Sequence, residues 1–158
     1  MIRNKNIFLL YALSFFFFLS GACGLIYEII WVRKLGLIFG NTTLAISTVL
    51  AVFMAGLGLG SLFFGRYIDR HKDPLRWYGW LEIGIGIFCL ATPSIWAFVE
   101  RGYVLVYQGL RPGFWQFSLI RFAVSFLVLF IPTFLMGGTL PVVTKFLVRD
   151  CRETAKTV

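Results

Sequence analysis

Four long runs of apolar residues, separated by short polar segments, dominate this chain. They cover Ile7–Trp31, Leu35–Gly65, Trp77–Val99 and Phe122–Thr144. Together they hold only two charged residues, Glu28 and Glu82. A hydrocarbon core about 30 Å thick is crossed by roughly 20 apolar residues in a helix. The pattern therefore predicts an all-α, polytopic membrane protein with four transmembrane helices.

The whole chain, residues 1–158, is predicted to form a single membrane domain. The predicted spans are 7–31, 42–65, 77–98 and 115–136. Pro93 predicts a kink or an end of the third helix, followed by a polar loop over Glu100–Gly113. Residues 115–149 would be about 52 Å long as one helix, well beyond the core thickness. Pro132 and Pro141 therefore predict a break, with an interfacial or broken helix at 138–149.

Composition and charge agree with a membrane protein. The chain is 59% hydrophobic with a mean hydropathy of +0.84, and four such runs cannot be hidden in the core of a small soluble domain. The net charge is +8. With four spans, ten basic residues fall on the side of the termini: Arg3, Lys5, Arg66, Arg70, Lys72, Arg76, Lys145, Arg149, Arg152 and Lys156. Four fall on the other side: Arg33, Lys34, Arg101 and Arg111. This asymmetry predicts cytoplasmic termini and explains the basicity without a nucleic-acid partner.

The tryptophans, the histidine and the cysteines give less information about topology and function. All five tryptophans lie near predicted span ends, where indole rings favour the headgroup region: Trp31, Trp77, Trp80, Trp96 and Trp115. The lone His71 has no neighbouring ligands, and Cys23, Cys89 and Cys151 form no CxxC pair. No catalytic arrangement, metal site or cofactor is predicted.

Small residues in the second helix predict close helix packing. Gly56 and Gly60 are four residues apart, a spacing that lets another helix backbone approach closely. Gly84 and Gly86 suggest a second such surface on the third helix. We expect these faces to contact further membrane helices, either in a homo-oligomer or in a separate subunit, with the lipid bilayer around them.

Three ionisable residues lie at membrane depth and form the candidate intramembrane polar site: Glu28, Arg121 and Glu82. Glu28 and Arg121 are predicted at comparable depth in the same half of the bilayer, so we expect an ion pair between them. The alternative is that each side chain extends to its nearer interface. For Glu82 this extension, or pairing with a loop arginine, is the favoured interpretation.

The loop between the second and third helices contains a short motif of glycine and charged residues. Gly65-xxx-Asp69-Arg70 resembles the signature loop of the major facilitator superfamily, although Lys72 replaces the usual second glycine. Four further segments extend the resemblance: Ser20–Arg33, Phe53–Ser61, Pro74–Glu82 and Pro132–Pro141. Together they resemble the start of the membrane domain of prokaryotic proteins in which a transporter-like half is fused to a spermidine synthase.

This resemblance implies an inner-membrane, multi-pass protein of a prokaryote, with transporter-like packing of its helices. Members of that family continue into more helices, and many end in an aminopropyltransferase-like domain whose residues are absent from these 158. We therefore expect no aminopropyl transfer by this chain, and a truncated product, a fragment or a small subunit are all compatible with it. The leading interpretation is a membrane subunit or partial domain that acts in assembly or anchoring. The alternatives are a half-transporter for a small polar or cationic solute, with Glu28 and Arg121 lining its path, and an anchor for a cytoplasmic polyamine-synthase-like enzyme.

Overall fold

The computed structural model describes the backbone of residues 2–40, 42–71, 73–110 and 113–155 and most of the side chains between positions 10 and 149. Its regular structure within these ranges is entirely α-helical. It contains four helices: α1 (Ile2–Phe39), α2 (Thr42–Ile68), α3 (Pro74–Leu110) and α4 (Phe114–Ala155). Each includes a stretch long and apolar enough to cross a membrane. The predicted all-α, multi-pass class is confirmed.

Contacts between helices define an up-down-up-down bundle. The Tyr27 hydroxyl of α1 reaches Cys89 of α3, and the Lys34 ammonium reaches Glu100, so these two helices run in the same direction. Helix α4 passes α1 in the opposite sense, because Gly24 faces Met136 whereas Ile38, later in α1, contacts Arg121, earlier in α4. We call the two ends of the bundle the α1–α2 end and the α2–α3 end, after the short connection at each.

The first helix extends beyond its predicted span. Arg33 and Lys34, expected in a connection, lie on α1, which ends only at Phe39. Gly40 follows with a φ of 67°, the left-handed conformation that commonly terminates helices. Hydropathy predicts which residues lie in lipid but not where a helix ends. Beyond Trp31 the helix continues because Leu35 is fully buried against neighbouring helices.

Helix α3 runs through Pro93 and continues to Leu110, so the predicted polar loop from Glu100 is instead helical. A proline lacks the N–H that would bond the carbonyl four residues earlier, which here belongs to Cys89. The Tyr27 hydroxyl of α1 donates a hydrogen bond to this carbonyl at 3.3 Å. A neighbouring helix thus satisfies the backbone group that the proline leaves free.

Helix α4 likewise continues through Pro132 and Pro141. The predicted break is not present, and residues 138–149 are a regular part of the helix. Pro132 is fully buried, which holds this stretch against its neighbours. Threonine side chains add local bonds: the Thr133 hydroxyl lies 2.9 Å from the Leu129 carbonyl oxygen. A helix of this length extends beyond the hydrocarbon core at its ends.

Two buried clusters fill the bundle, one toward each end. The cluster at the α1–α2 end contains Trp31, Leu35, Val49, Trp96 and Leu129. The cluster at the α2–α3 end contains Leu13, Phe64, Ile68, Tyr78 and Val142.

Four of the five tryptophans divide into two groups, and Trp77 is intermediate in exposure. Trp31 and Trp96 are only 1% and 2% exposed and pack between helices, which corrects their expected headgroup position. Trp80 and Trp115 are 68% and 84% exposed. Sequence position near a span end therefore does not determine whether an indole faces lipid or protein.

Some sequence predictions fall outside the described side chains. These concern Arg3, Lys5, Lys72, Arg111, Cys151, Arg152 and Lys156.

Candidate functional site

Glycines bring α2 and α4 into backbone contact at the middle of the bundle. A Cβ on Gly56 would lie 2.6 Å from the Thr133 Cβ, and one on Gly60 would lie 2.9 Å from the Phe134 carbonyl carbon. A Cβ on Gly137 would come within 2.8 Å of an α2 Cα atom. These distances are too short for any side chain. The Gly56–Gly60 face is therefore occupied by α4 of the same chain, which corrects the expectation that it meets a partner.

The second small-residue surface is only partly used. A Cβ on Gly84 would lie 3.4 Å from the Leu135 Cδ1, an ordinary contact with α4. A Cβ on Gly86 would meet nothing within 4 Å.

Arg121 binds the end of α1. Its Nη1 donates a 2.8 Å hydrogen bond to the carbonyl oxygen of Ile38, in the last turn of α1. The last carbonyls of a helix have no partner within it and carry partial negative charge, so a cation there is favourable. The Tyr103 hydroxyl donates to the Arg121 carbonyl at 3.2 Å, and the Arg121 Cζ lies 6.0 Å from the centre of the Tyr103 ring.

Glu28 and Arg121 do not meet. Glu28 is half-buried on α1. It precedes Ile38, which Arg121 reaches, by ten residues, or about 15 Å along the helix. The predicted ion pair is therefore absent between these two described side chains. The depth estimate failed because it took Trp31 as the end of the first span, whereas the apolar stretch continues to Ile38 and α1 to Phe39.

Glu82 lies one turn from Tyr78 on α3. Tyr78 is 6% exposed. The Tyr78 hydroxyl and the Glu82 side chain are within electrostatic reach of each other, and neither the hydroxyl nor the Glu82 Oε1 makes a hydrogen bond of normal geometry with a described residue. A carboxylate oxygen shielded from water within a membrane span is costly and is a candidate for function.

Lys145 binds the end of α2, at the opposite end of the bundle from Arg121. Its Nζ donates to the carbonyl oxygens of Ile68 and His71, the latter at 3.3 Å, and lies 3.8 Å from the Asp69 Oδ1. Helix α4 thus supplies one cation to the C-terminus of α1 and another to that of α2. The two cationic residues are 24 positions apart, or about 36 Å.

The motif loop lies at this same end. The Asp69 N–H donates to the Gly65 carbonyl at 3.4 Å and the Arg70 N–H to the Tyr67 carbonyl at 3.2 Å, so the loop continues the last turn of α2. A Cβ on Gly65 would lie 3.7 Å from the Pro141 Cβ of α4. The loop is held through Lys145, which sequence analysis did not single out because a basic residue at a span end reads as a topology signal.

A groove of about 790 Å³ opens between α1, α2 and α4. Small or apolar residues line it, among them Ser14, Gly21 and Leu25 of α1, Leu57 of α2 and Met136 of α4. The α1 part extends from position 14 to 25, about 16 Å or three helical turns. Only serine and threonine hydroxyls interrupt the apolar lining, so the groove suits a hydrocarbon chain or a helix better than a hydrated solute.

In the described part of the chain, no group of three or more His, Cys, Asp or Glu side chains is placed to hold a metal ion. Comparison with protein-family models, curated proteins and solved structures found no match to this chain.

Proposed function

We propose that this chain is an integral membrane subunit that acts through assembly, with the groove beside α1 as the place where another transmembrane helix binds. The observation that carries the proposal is the groove itself. It is open, three turns long and largely apolar. The Gly56–Gly60 face of α2 and the Gly137 face of α4 are already used within the chain, whereas the groove is open.

The occupant that we propose is α1 of a second copy. Gly21 has nothing within 4 Å of its Cβ position, while Phe18 and Leu25 on the same side are 76% and 60% exposed. A large side chain beside an open glycine on one face can fit the same face of a second copy related by a two-fold axis. Small residues at such a contact allow close approach of helices in lipid.

Cross-linking tests this assembly in native membranes. Leu25 lines the groove on α1 and is 60% exposed. In a background where the native cysteines are serine, a short bis-maleimide should join two copies of the Leu25→Cys variant. Gly21→Leu should fill the groove and abolish the cross-linked dimer. Gly86→Leu is the matched control, because its Cβ position is also open but does not line the groove.

An absent dimer, or one that Gly21→Leu leaves unchanged, would refute self-association through the groove. The resemblance to fused transporter-like proteins then favours a helix from a separate subunit. That outcome requires a cross-link from the cysteine of Leu25→Cys to a defined second polypeptide, lost in Gly21→Leu and kept in Gly86→Leu.

The second candidate function is a half-transporter for a small polar or cationic solute. Glu82 favours it, because its Oε1 is buried within a membrane-spanning stretch and within electrostatic reach of the Tyr78 hydroxyl. Flux of a cation into vesicles containing the full chain, lost in Glu82→Gln and kept in Glu28→Gln, would support it. No flux with the unmodified chain, or equal flux in all three, would exclude a role of Glu82 in transport.

A further inference from the structure

A pocket of about 430 Å³ lies at the α2–α3 end of the bundle, apart from the groove. It is lined by His71, Asp73, Arg76, Trp77 and Trp80. These residues come from the loop after α2 and the first two turns of α3, where a span that begins near Pro74 meets the membrane surface. The pocket thus combines a carboxylate, a guanidinium, an imidazole and two indoles at the depth expected of lipid headgroups.

Ring contacts hold one wall of the pocket in place. The His71 ring stacks on Tyr67 with centroids 4.3 Å apart, and Trp77 meets both rings edge-on, at 4.9 Å from Tyr67 and 5.3 Å from His71. The His71 Nδ1 lies 2.9 Å from the Tyr67 carbonyl oxygen. A carbonyl can only accept, so Nδ1 is the donor, and in the neutral form of an imidazole with this tautomer Nε2 is an acceptor.

The chemistry of the lining divides into two parts. A guanidinium such as that of Arg76 binds phosphate through paired hydrogen bonds. The Asp73 carboxylate and the His71 Nε2 accept hydrogen bonds, and indole faces attract cations. A ligand that fits both parts carries a phosphate and an ammonium a few bonds apart. At the edge of a membrane, a phospholipid with a phosphoethanolamine headgroup has this structure.

We propose that this pocket binds the headgroup of an aminophospholipid, with the phosphate at Arg76 and the ammonium at Asp73 and the rings. The acyl chains then follow the lipid-facing side of α3, where Ile83 and Ile87 are 53% and 63% exposed. This proposal does not depend on assembly through the groove.

Native mass spectrometry of the full chain in detergent tests the site. Phosphatidylethanolamine, phosphatidylcholine and phosphatidylglycerol with identical acyl chains are titrated separately, and the dissociation constant of the first bound lipid is measured. The ethanolamine lipid should bind most tightly. The choline lipid should bind more weakly, because its methylated ammonium donates no N–H hydrogen bonds to Asp73 or His71.

Charge variants separate the two parts of the pocket. Arg76→Gln should weaken all three lipids about fivefold, the loss of about 1 kcal/mol of attraction per basic residue. Asp73→Asn should remove the preference for ethanolamine and move it toward the glycerol headgroup. Arg66→Gln is the matched control, since Arg66 is exposed on the same end but does not line the pocket.

Three results would overturn the proposal. The first is equal binding of the three lipids, and the second is an equal loss in Arg66→Gln and Arg76→Gln, which would indicate general surface attraction. The third is complete displacement of the lipid by soluble phosphoethanolamine at similar concentration, which would assign the pocket to a free phosphorylated amine.

Discussion

Replacing Gly60 by alanine tests the contact that holds α2 against α4. The added Cβ would lie 2.9 Å from the carbonyl carbon of Phe134 and closer still to its oxygen. Both atoms belong to the backbone, so no side chain can rotate away and the two helices must separate. Overpacking of this kind typically costs about 1–3 kcal/mol, and a backbone contact belongs at the upper end.

Gly58→Ala is the control for everything except the contact. Its Cβ position has nothing within 4 Å, and it lies on the same helix two residues away. Glycine to alanine also favours the helix by up to about 1 kcal/mol, but this gain is common to both variants and cancels in their difference. We expect Gly60→Ala to be about 3 kcal/mol less stable than Gly58→Ala.

The assay is reversible unfolding of the purified chain in mild detergent, titrated with a denaturing detergent and followed by circular dichroism. The free energy of unfolding is compared between the two variants. A difference smaller than about 0.5 kcal/mol would refute the backbone contact between α2 and α4, because distant effects of the two substitutions are otherwise alike.

Three further predictions follow from the contacts between helices. Lys145→Met should lower the free energy of unfolding by about 1.5–3 kcal/mol, because it removes charged hydrogen bonds to the end of α2. Asp69→Asn, at a 78% exposed carboxylate, should lower it by less than about 1 kcal/mol. Equal losses of stability in the same unfolding assay would show that the ion pair, not the helix end, is the important contact. Tyr27→Phe should lower the melting temperature, because the Cys89 carbonyl, which Pro93 leaves without a helical partner, would lose its hydrogen bond. Tyr11→Phe, at a 71% exposed ring, should leave the melting temperature unchanged. Equal melting temperatures of the two variants would contradict a stabilising role of the Tyr27 hydrogen bond. In a background without the native cysteines, Gln108→Cys should react with an impermeant thiol reagent added outside intact cells, as the asymmetry of basic residues predicts. Labelling only after the cells are opened would show that the orientation is opposite to the predicted one.

Much of the fold was predictable because lipid imposes a one-dimensional rule. The free energy of inserting a helix depends on the apolar residues within one segment, so hydropathy alone identified four spans and their all-α class. The helix ends were less predictable. Hydropathy does not predict contacts between helices. Leu35 packs in the core and stabilises the extension of α1, and Tyr27 bonds the carbonyl freed by Pro93 and stabilises α3 at its proline.

The candidate site depended more on tertiary structure. The small residues Gly56 and Gly60 marked a packing face, but only the structure shows that α4 of the same chain occupies it. Arg121 was recognisable as a costly charge at depth, yet its partner is the carbonyl of Ile38 rather than Glu28. Sequence determines which segments enter the membrane, because each segment is transferred from water by its own composition. The rotation and depth of each helix against its neighbours are set by close packing, and these decide which side chains meet.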